Sequence, residues 1–202
     1  MLVVGERSIS ADEVDEWLPA IDLIEPGRSL AGKRRLALTN VVLHRAIAAQ
    51  IDPERYQKAR EQADALRAKL VAGEELPADG PQVETIVEGY WHELGIDAWQ
   101  EARTAPLGEW SEVRESTAYF YIQRVNGRDP EPWTKEEGAA VDRVIVPYID
   151  EAGSVDVITE AEKSMQLVVV DSEWDELLPA HYKYRMGVTP TSERETPAEP
   201  AQ

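Results

Sequence analysis

The chain contains no cysteine, and that absence removes disulfides, thiolate metal ligands and cysteine nucleophiles together. No run approaches the ~18 consecutive apolar residues that span a bilayer. Met1 leads straight into LVVGERS, without the basic start and long apolar core of a signal peptide. Basic residues are scarce: 21 Lys and Arg stand against 39 Asp and Glu, a formal charge of −18. Such a charge repels nucleic-acid phosphates and anionic membrane surfaces, so neither nucleic acid nor a membrane span is expected. The three histidines, His44, His92 and His181, lie far apart. None has a histidine or carboxylate at i+3 or i+4, so no metal site is expected. The 12 glycines are scattered as turn and cap residues, with no phosphate loop and no Gly-x-Ser-x-Gly elbow. No cofactor is implied. These absences weigh against hydrolases and nucleotide enzymes, while leaving open sites assembled from residues distant in sequence.

What is present is enough apolar material for a core: 43% of 202 residues. The opening predicts a strand at Leu2 to Val4, a turn at Gly5-Glu6-Arg7, and a helix capped by Ser10 with Glu13 three residues on. Asp12, Glu13, Asp15 and Glu16 then suit the positive end of the helix dipole better than a catalytic carboxylate pair. A helix over about Leu30 to Ile51 carries two stripes, Leu36, Leu43, Ile47 and Ile51 on one side and Leu38, Val41, Val42, Ala46 and Ala49 on the other, which predicts a central core helix. Asp52 and Pro53 cap and open the next helix. Its narrow stripe, Tyr56, Ala59, Ala63, Leu66 and Leu70, predicts packing on one side only. From Gln82 the spacing of Val83, Ile86, Val87, Tyr90, Trp91 and Leu94 predicts a fourth helix, interrupted at Gly95 and resumed through Ile96 and Trp99.

Residues 108 to 129, GEWSEVRESTAYFYIQRVNGRD, predict a turn at Gly108 and an aromatic strand from Tyr119 to Val125, closed by a turn at Asn126, Gly127 and Asp129. Thr134 and Glu137 form a capping box that predicts a helix bearing Val141, Val144, Ile145 and Ile149, kinked or ended by Pro147. VDVI at 155 to 158 and QLVVVD at 166 to 171 are strand-like. Beyond Gly187 the chain is rich in Pro, Thr and Glu, and residues 188 to 202 are expected to be disordered. There is no internal repeat.

The 108 to 129 stretch resembles the final segment of a parvulin-type peptidyl-prolyl isomerase domain. Gly108-Glu109-Trp110-Ser111 fits that family's Gly-Glu-x-Ser turn, and Phe120 to Val125 fits its closing strand. QKAREQADALRAKLVAGEELPA at 57 to 78 is similar to the family's first helix, and residues 1 to 51 look like the chaperone module of SurA-like and PrsA-like foldases. The resemblance implies an α+β fold, mainly helical: a SurA-like helical chaperone module with a small parvulin-like remnant sheet. Four segments are expected: 1–51 as the chaperone module, 52–129 as the degenerate parvulin-like segment, 130–187 as a helix and strands packing on the N-terminal module, and the 188–202 tail. The family's closing-strand histidine falls on Tyr121, and the opening strand that should carry another is missing, since Ile51 runs directly into the cap at Asp52.

The resemblance thus implies a polypeptide-binding chaperone or assembly factor, periplasmic or membrane-anchored, with unfolded or extended polypeptide clients and without isomerase catalysis. Its contacts would fall on the aromatics Trp17, Trp110, Tyr119, Tyr121 and Trp133, the tryptophans being expected at the surface. Two alternatives remain: an active divergent peptidyl-prolyl isomerase with Tyr121 as its catalytic group, and a scaffold for a single partner.

Overall fold

The computed structural model describes residues 1–150, 154–186 and 189–190. Leu2 and Val4 bury one face of β1 (Leu2–Val4), which turns back at Gly5-Glu6 to pair with β2 (Arg7–Ile9). Ser10 then caps α1 (Ala11–Asp15), its hydroxyl accepting from the Glu13 amide at 3.1 Å. After α2 (Leu18–Ile24), the helical stretch from Leu30 to Ile51 runs as α3 (Leu30–Ala37), a π-helical turn (Leu38–Val42) and α4 (Leu43–Ile51). Both of its stripes face the interior: Leu38, Val41, Val42, Leu43, Ala46 and Ile47 are buried, while Leu36, Ala49 and Ile51 are half-buried. Asp52 caps α5 (Pro53–Ala72), which buries Ala59, Ala63, Leu66 and Leu70 and leaves its other sides in solvent.

Beyond α5 the chain departs from its expected secondary structure at several places. The expected fourth helix begins instead as a strand, β3 (Glu84–Gly89), before two short helices, α6 (Trp91–Leu94) and α7 (Ile96–Thr104), separated at Gly95 with φ of 83°. Thr85, Ile86 and Val87 are three consecutive β-branched residues, and their preference for a pleated surface outweighs a helix-like spacing over so few positions. Gly89, the last residue of the strand, lets Leu94 pack close against the backbone: a Cβ there would lie 2.7 Å from Leu94 Cδ2. The expected helix over 134–149 is also a strand, β6 (Ala139–Pro147). Val144 and Val146 pack on one face and Ala139 and Val141 on the other, so a strand buried on both faces lost its period-2 signature. The Thr134 and Glu137 pairing does form, as a turn: both the Thr134 amide and its hydroxyl donate to Glu137 Oε2. Conversely, VDVI lies in a helix, α8 (Ser154–Ser164), and Ile158 is buried while Val157 is half exposed.

The remaining elements are β4 (Arg114–Glu115), β5 (Tyr119–Arg128), β7 (Leu167–Val169), α9 (Ser172–Leu177), α10 (Ala180–Met186) and β8 (Thr189–Pro190). The aromatic strand passes through the expected turn at Asn126 with only a register shift between Val125 and Gly127. Of the tail expected to be disordered, Thr189 and Pro190 pair with Val168 and Val169; residues 188 and 191–202 lie outside the described residues.

The fold is therefore mixed α+β with two small four-stranded sheets, ordered β2-β1-β7-β8 and β3-β6-β5-β4. Among the described residues the named strands pair antiparallel except β7 with β8, which are parallel. β7 returns to pair Leu2 with Val169 and Val4 with Leu167, and Tyr182 of α10 places its hydroxyl 3.0 Å from His44 Nε2 in α4. The C-terminal elements thus pack on the N-terminal ones. The expected boundary at 129/130 falls between the paired strands β5 and β6. The second sheet is a layer between two cores. Phe120, Ile122, Val144 and Val146 join the larger core with α4 and α5, while Tyr121, Val125, Ala139 and Val141 join a smaller one with Leu94, Ala98 and Trp99 of α6 and α7.

Candidate functional site

On the α7 side of that sheet the side chains stop being apolar. The end of α1 (Glu16 and Trp17), Arg45 of α4, one side of α7 (Asp97, Gln100, Glu101 and Thr104) and the run into β4 (Val113, Arg114 and Glu115) surround an open crevice of about 380 Å³, with Tyr121 in its wall. Strand alternation puts Tyr121 there: Phe120 and Ile122 point to the α5 side, so Tyr121 and Gln123 must point to α7. Gln123 is held by the Ala98 carbonyl (2.9 Å) and Glu101 Oε2 (3.1 Å), which fixes α7 against the strand.

Four carboxylates and two guanidiniums share the crevice. Arg45 lies over the Trp17 ring, 4.7 Å from its centroid, and is ion-paired with Asp97. Arg114 Nε donates to Glu101 Oε1 at 2.7 Å. Glu16 and Glu115 make no ion pair among the described residues. Burial pushes the Glu115 carboxyl above the usual range, against the pull of Arg45, Arg7 and Arg60 and a hydrogen bond with Tyr56. Tyr56 is pushed up to about 12, first by burial and then by Glu115. Burial, reinforced by Asp97 and Glu101, holds the Tyr121 phenol well above its ordinary value. The phenol therefore stays protonated and can give or take a hydrogen bond, but it is no base near neutrality. No group of three or more His, Asp or Glu among the described residues is placed to hold a metal ion.

Of the five aromatics singled out in the sequence, the structure brings Tyr121 and Trp17 together in the crevice wall. Tyr119 sits beside them, its ring centroid 6.4 Å from that of Tyr121. Trp110 lies half-buried on the opposite side of the sheet under the Arg124 guanidinium, which is 4.7 Å from its centroid. Trp133 packs at a tilt of 35° against Trp99, with centroids 5.3 Å apart, and donates from Nε1 to the Asp129 carbonyl at 2.9 Å. Expected at the surface, Trp17 and Trp133 are instead buried, at 9% and 3% exposure. Their rings complete two cores that smaller side chains would leave hollow. Arg45, Asp97, Glu101 and Glu115 were not singled out in the sequence. Their capping and helix-face positions look like ordinary solvated charge, and only the fold makes them converge.

A shallower groove of about 800 Å³ runs along α5 to Pro147. It is lined by solvated charged and amide side chains of that one helix, and no polar group converges in it, so the smaller crevice is the better candidate. A second feature is an edge. Among the described residues β3 pairs only with β6, leaving its outer side open, and Val83 just before the strand and Val87 within it are 42% and 80% exposed. The chain matches no protein-family model, no curated protein and no solved structure.

Proposed function

We propose that this protein binds extended or unfolded polypeptide as a chaperone or assembly factor of the SurA-like kind, without isomerising prolyl bonds. The observation that carries the reading is the open edge of β3. An unpaired strand offers backbone N–H and C=O groups to any extended segment whatever its side chains, which is the promiscuity a holding chaperone requires. Val83 and Val87 add apolar contact along it. The charge of −18 favours basic clients over acidic ones.

The alternative of an active isomerase draws little support from the crevice. Catalysis must lower a barrier of ~18–20 kcal/mol by favouring a twisted amide, with the prolyl ring held in an apolar pocket. Tyr121 is 2% exposed, and the space before it is lined by charges. The segment ahead of α5 is helical α4, not a strand carrying a second polar group.

The test pairs two assays. Dilution of a chemically unfolded client is followed by light scattering with the parent protein and with the Val83→Lys/Val87→Lys variant, whose charges obstruct strand addition. In parallel, cis-to-trans conversion of a short prolyl peptide is timed. The parent should delay aggregation, the variant should lose most of the delay, and the peptide should keep its uncatalysed time of roughly tens to hundreds of seconds. An inert parent in the first assay rejects the chaperone reading. Acceleration in the second that vanishes in Tyr121→Phe makes the protein an isomerase.

A further inference from the structure

We propose that the crevice before Tyr121 is a socket for a guanidinium group, the side chain of an arginine in a bound polypeptide. This goes beyond the chaperone reading and stands apart from it in space. β3 and β4 are the opposite ends of their sheet, three strand spacings or about 14 Å apart, and the crevice adjoins β4.

Two observations converge on a cation. Of the four carboxylates in the crevice, Asp97 and Glu101 are neutralised by Arg45 and Arg114, leaving Glu16 and Glu115 without an ion-pair partner. Glu115 sits opposite Phe120 and is hydrogen-bonded with Tyr56, so Glu16 is the unpaired carboxylate open to solvent. Tyr121 is 2% exposed, yet its hydroxyl makes no hydrogen bond among the described residues. The carboxylates of Asp97 and Glu101 and the guanidiniums of Arg45 and Arg114 act on that same oxygen. A buried phenol normally finds a partner. One that lacks it in the wall of an open, acid-rich crevice is placed to accept from a ligand N–H.

The crevice also contains an internal example of the recognition it would perform. Arg45 is held by one aromatic face, Trp17, and one carboxylate, Asp97. A second guanidinium entering from solvent would find the Tyr121 hydroxyl in the crevice wall and the carboxylate of the exposed Glu16. Arginine fits better than lysine because its planar fork can reach two acceptors at once. A volume of about 380 Å³ accommodates the head group and stem without displacing Arg45.

The experiment is calorimetric titration of the full chain with an acetylated, amidated pentapeptide carrying one arginine among alanines, against its glutamine counterpart and against spermidine. The arginine peptide should bind at least about tenfold more tightly than the glutamine peptide. Glu16→Gln and Tyr121→Phe should each weaken it several-fold, the size of one lost charge-assisted contact. Glu16 is exposed, so its variant reports even where a buried substitution disturbs folding. Equal affinity for the arginine and glutamine peptides, or undiminished binding in both variants, overturns the socket. Spermidine binding as tightly as the arginine peptide overturns the polypeptide source and assigns the site to free polyamines. Failure here is distinct from failure of the chaperone reading, because Val83→Lys/Val87→Lys should leave arginine-peptide binding intact and Glu16→Gln should leave aggregation suppression intact.

Discussion

The two faces of β5 divide one strand between two kinds of neighbour. On the α5 side Phe120 meets Tyr56 and Tyr148 with ring centroids 5.0 and 5.2 Å away, and Ile122, Val144 and Val146 complete a dry contact. On the α7 side the alternate residues Tyr121 and Gln123 carry polar tips, and Arg143 reaches the Leu94 carbonyl at 3.0 Å. The first face is closed around its aromatic cluster, Phe120, Ile122 and Val144 being fully buried. The second is just as buried along the strand but ends in a crevice where hydrogen-bonding capacity is left over. Adjacent residues of one strand can therefore differ completely in what their loss would do.

That contrast sets the scale of the expected effects. Phe120→Ala should cost most, about 3–5 kcal/mol by denaturant unfolding, because it empties the centre of the aromatic cluster. A loss below 1 kcal/mol would mean that the α5 face collapses to refill the space. Asp97→Asn comes next, at about 1–3 kcal/mol, since it leaves Arg45 largely buried without its counter-charge. If Asp97→Asn is neutral, the crevice is wetter than its geometry implies.

Glu115→Gln tests the sign of an effect. A carboxyl whose folded pKa is raised gives stability that is fully present below its unfolded pKa, near 4.5, and is lost as pH climbs through the folded value. The Gln variant should therefore gain on the parent as pH rises from 4 to 7, modestly, because nearby Arg45, Arg7 and Arg60 offset part of the burial. A variant that instead falls behind as pH rises would show that the ionised carboxylate is stabilising. Smallest of all is Tyr121→Phe, which removes a hydroxyl that bonds to nothing in the described protein and should stay within about 0.5 kcal/mol of the parent. A change above 1 kcal/mol would show that the hydroxyl already has a firm partner, and the two faces of β5 would then be less different than they look.

The first half of the chain was legible because its signals are local. Ser10 with Glu13, Asp52 with Pro53, and the stripes of the central helix and α5 each lie within a few turns and need no distant partner. β3 and β6 were not legible, and for one physical reason. Their conformation is set by pairing Glu84 with Arg143 and Tyr121 with Ile145 across 59 and 24 residues, and neither shows strict alternation. The candidate site divides the same way. Tyr121 could be picked out because it sits at a position of a resembled motif and in an aromatic strand. Arg45, Asp97 and Glu115 come from three separate segments, each looking like a solvated charge until α4, α7 and β4 are brought together.

The most direct measurement of the central claim is backbone NMR of the isotopically labelled chain during titration with an extended, unlabelled client segment, with amide exchange recorded in both states. If polypeptide is held by strand addition, the resonances of Glu84–Gly89 should shift on binding and amides on the open edge of β3 should become more protected than in the free chain. Shifts confined to other surfaces, with β3 amides exchanging as fast as before, would contradict the account.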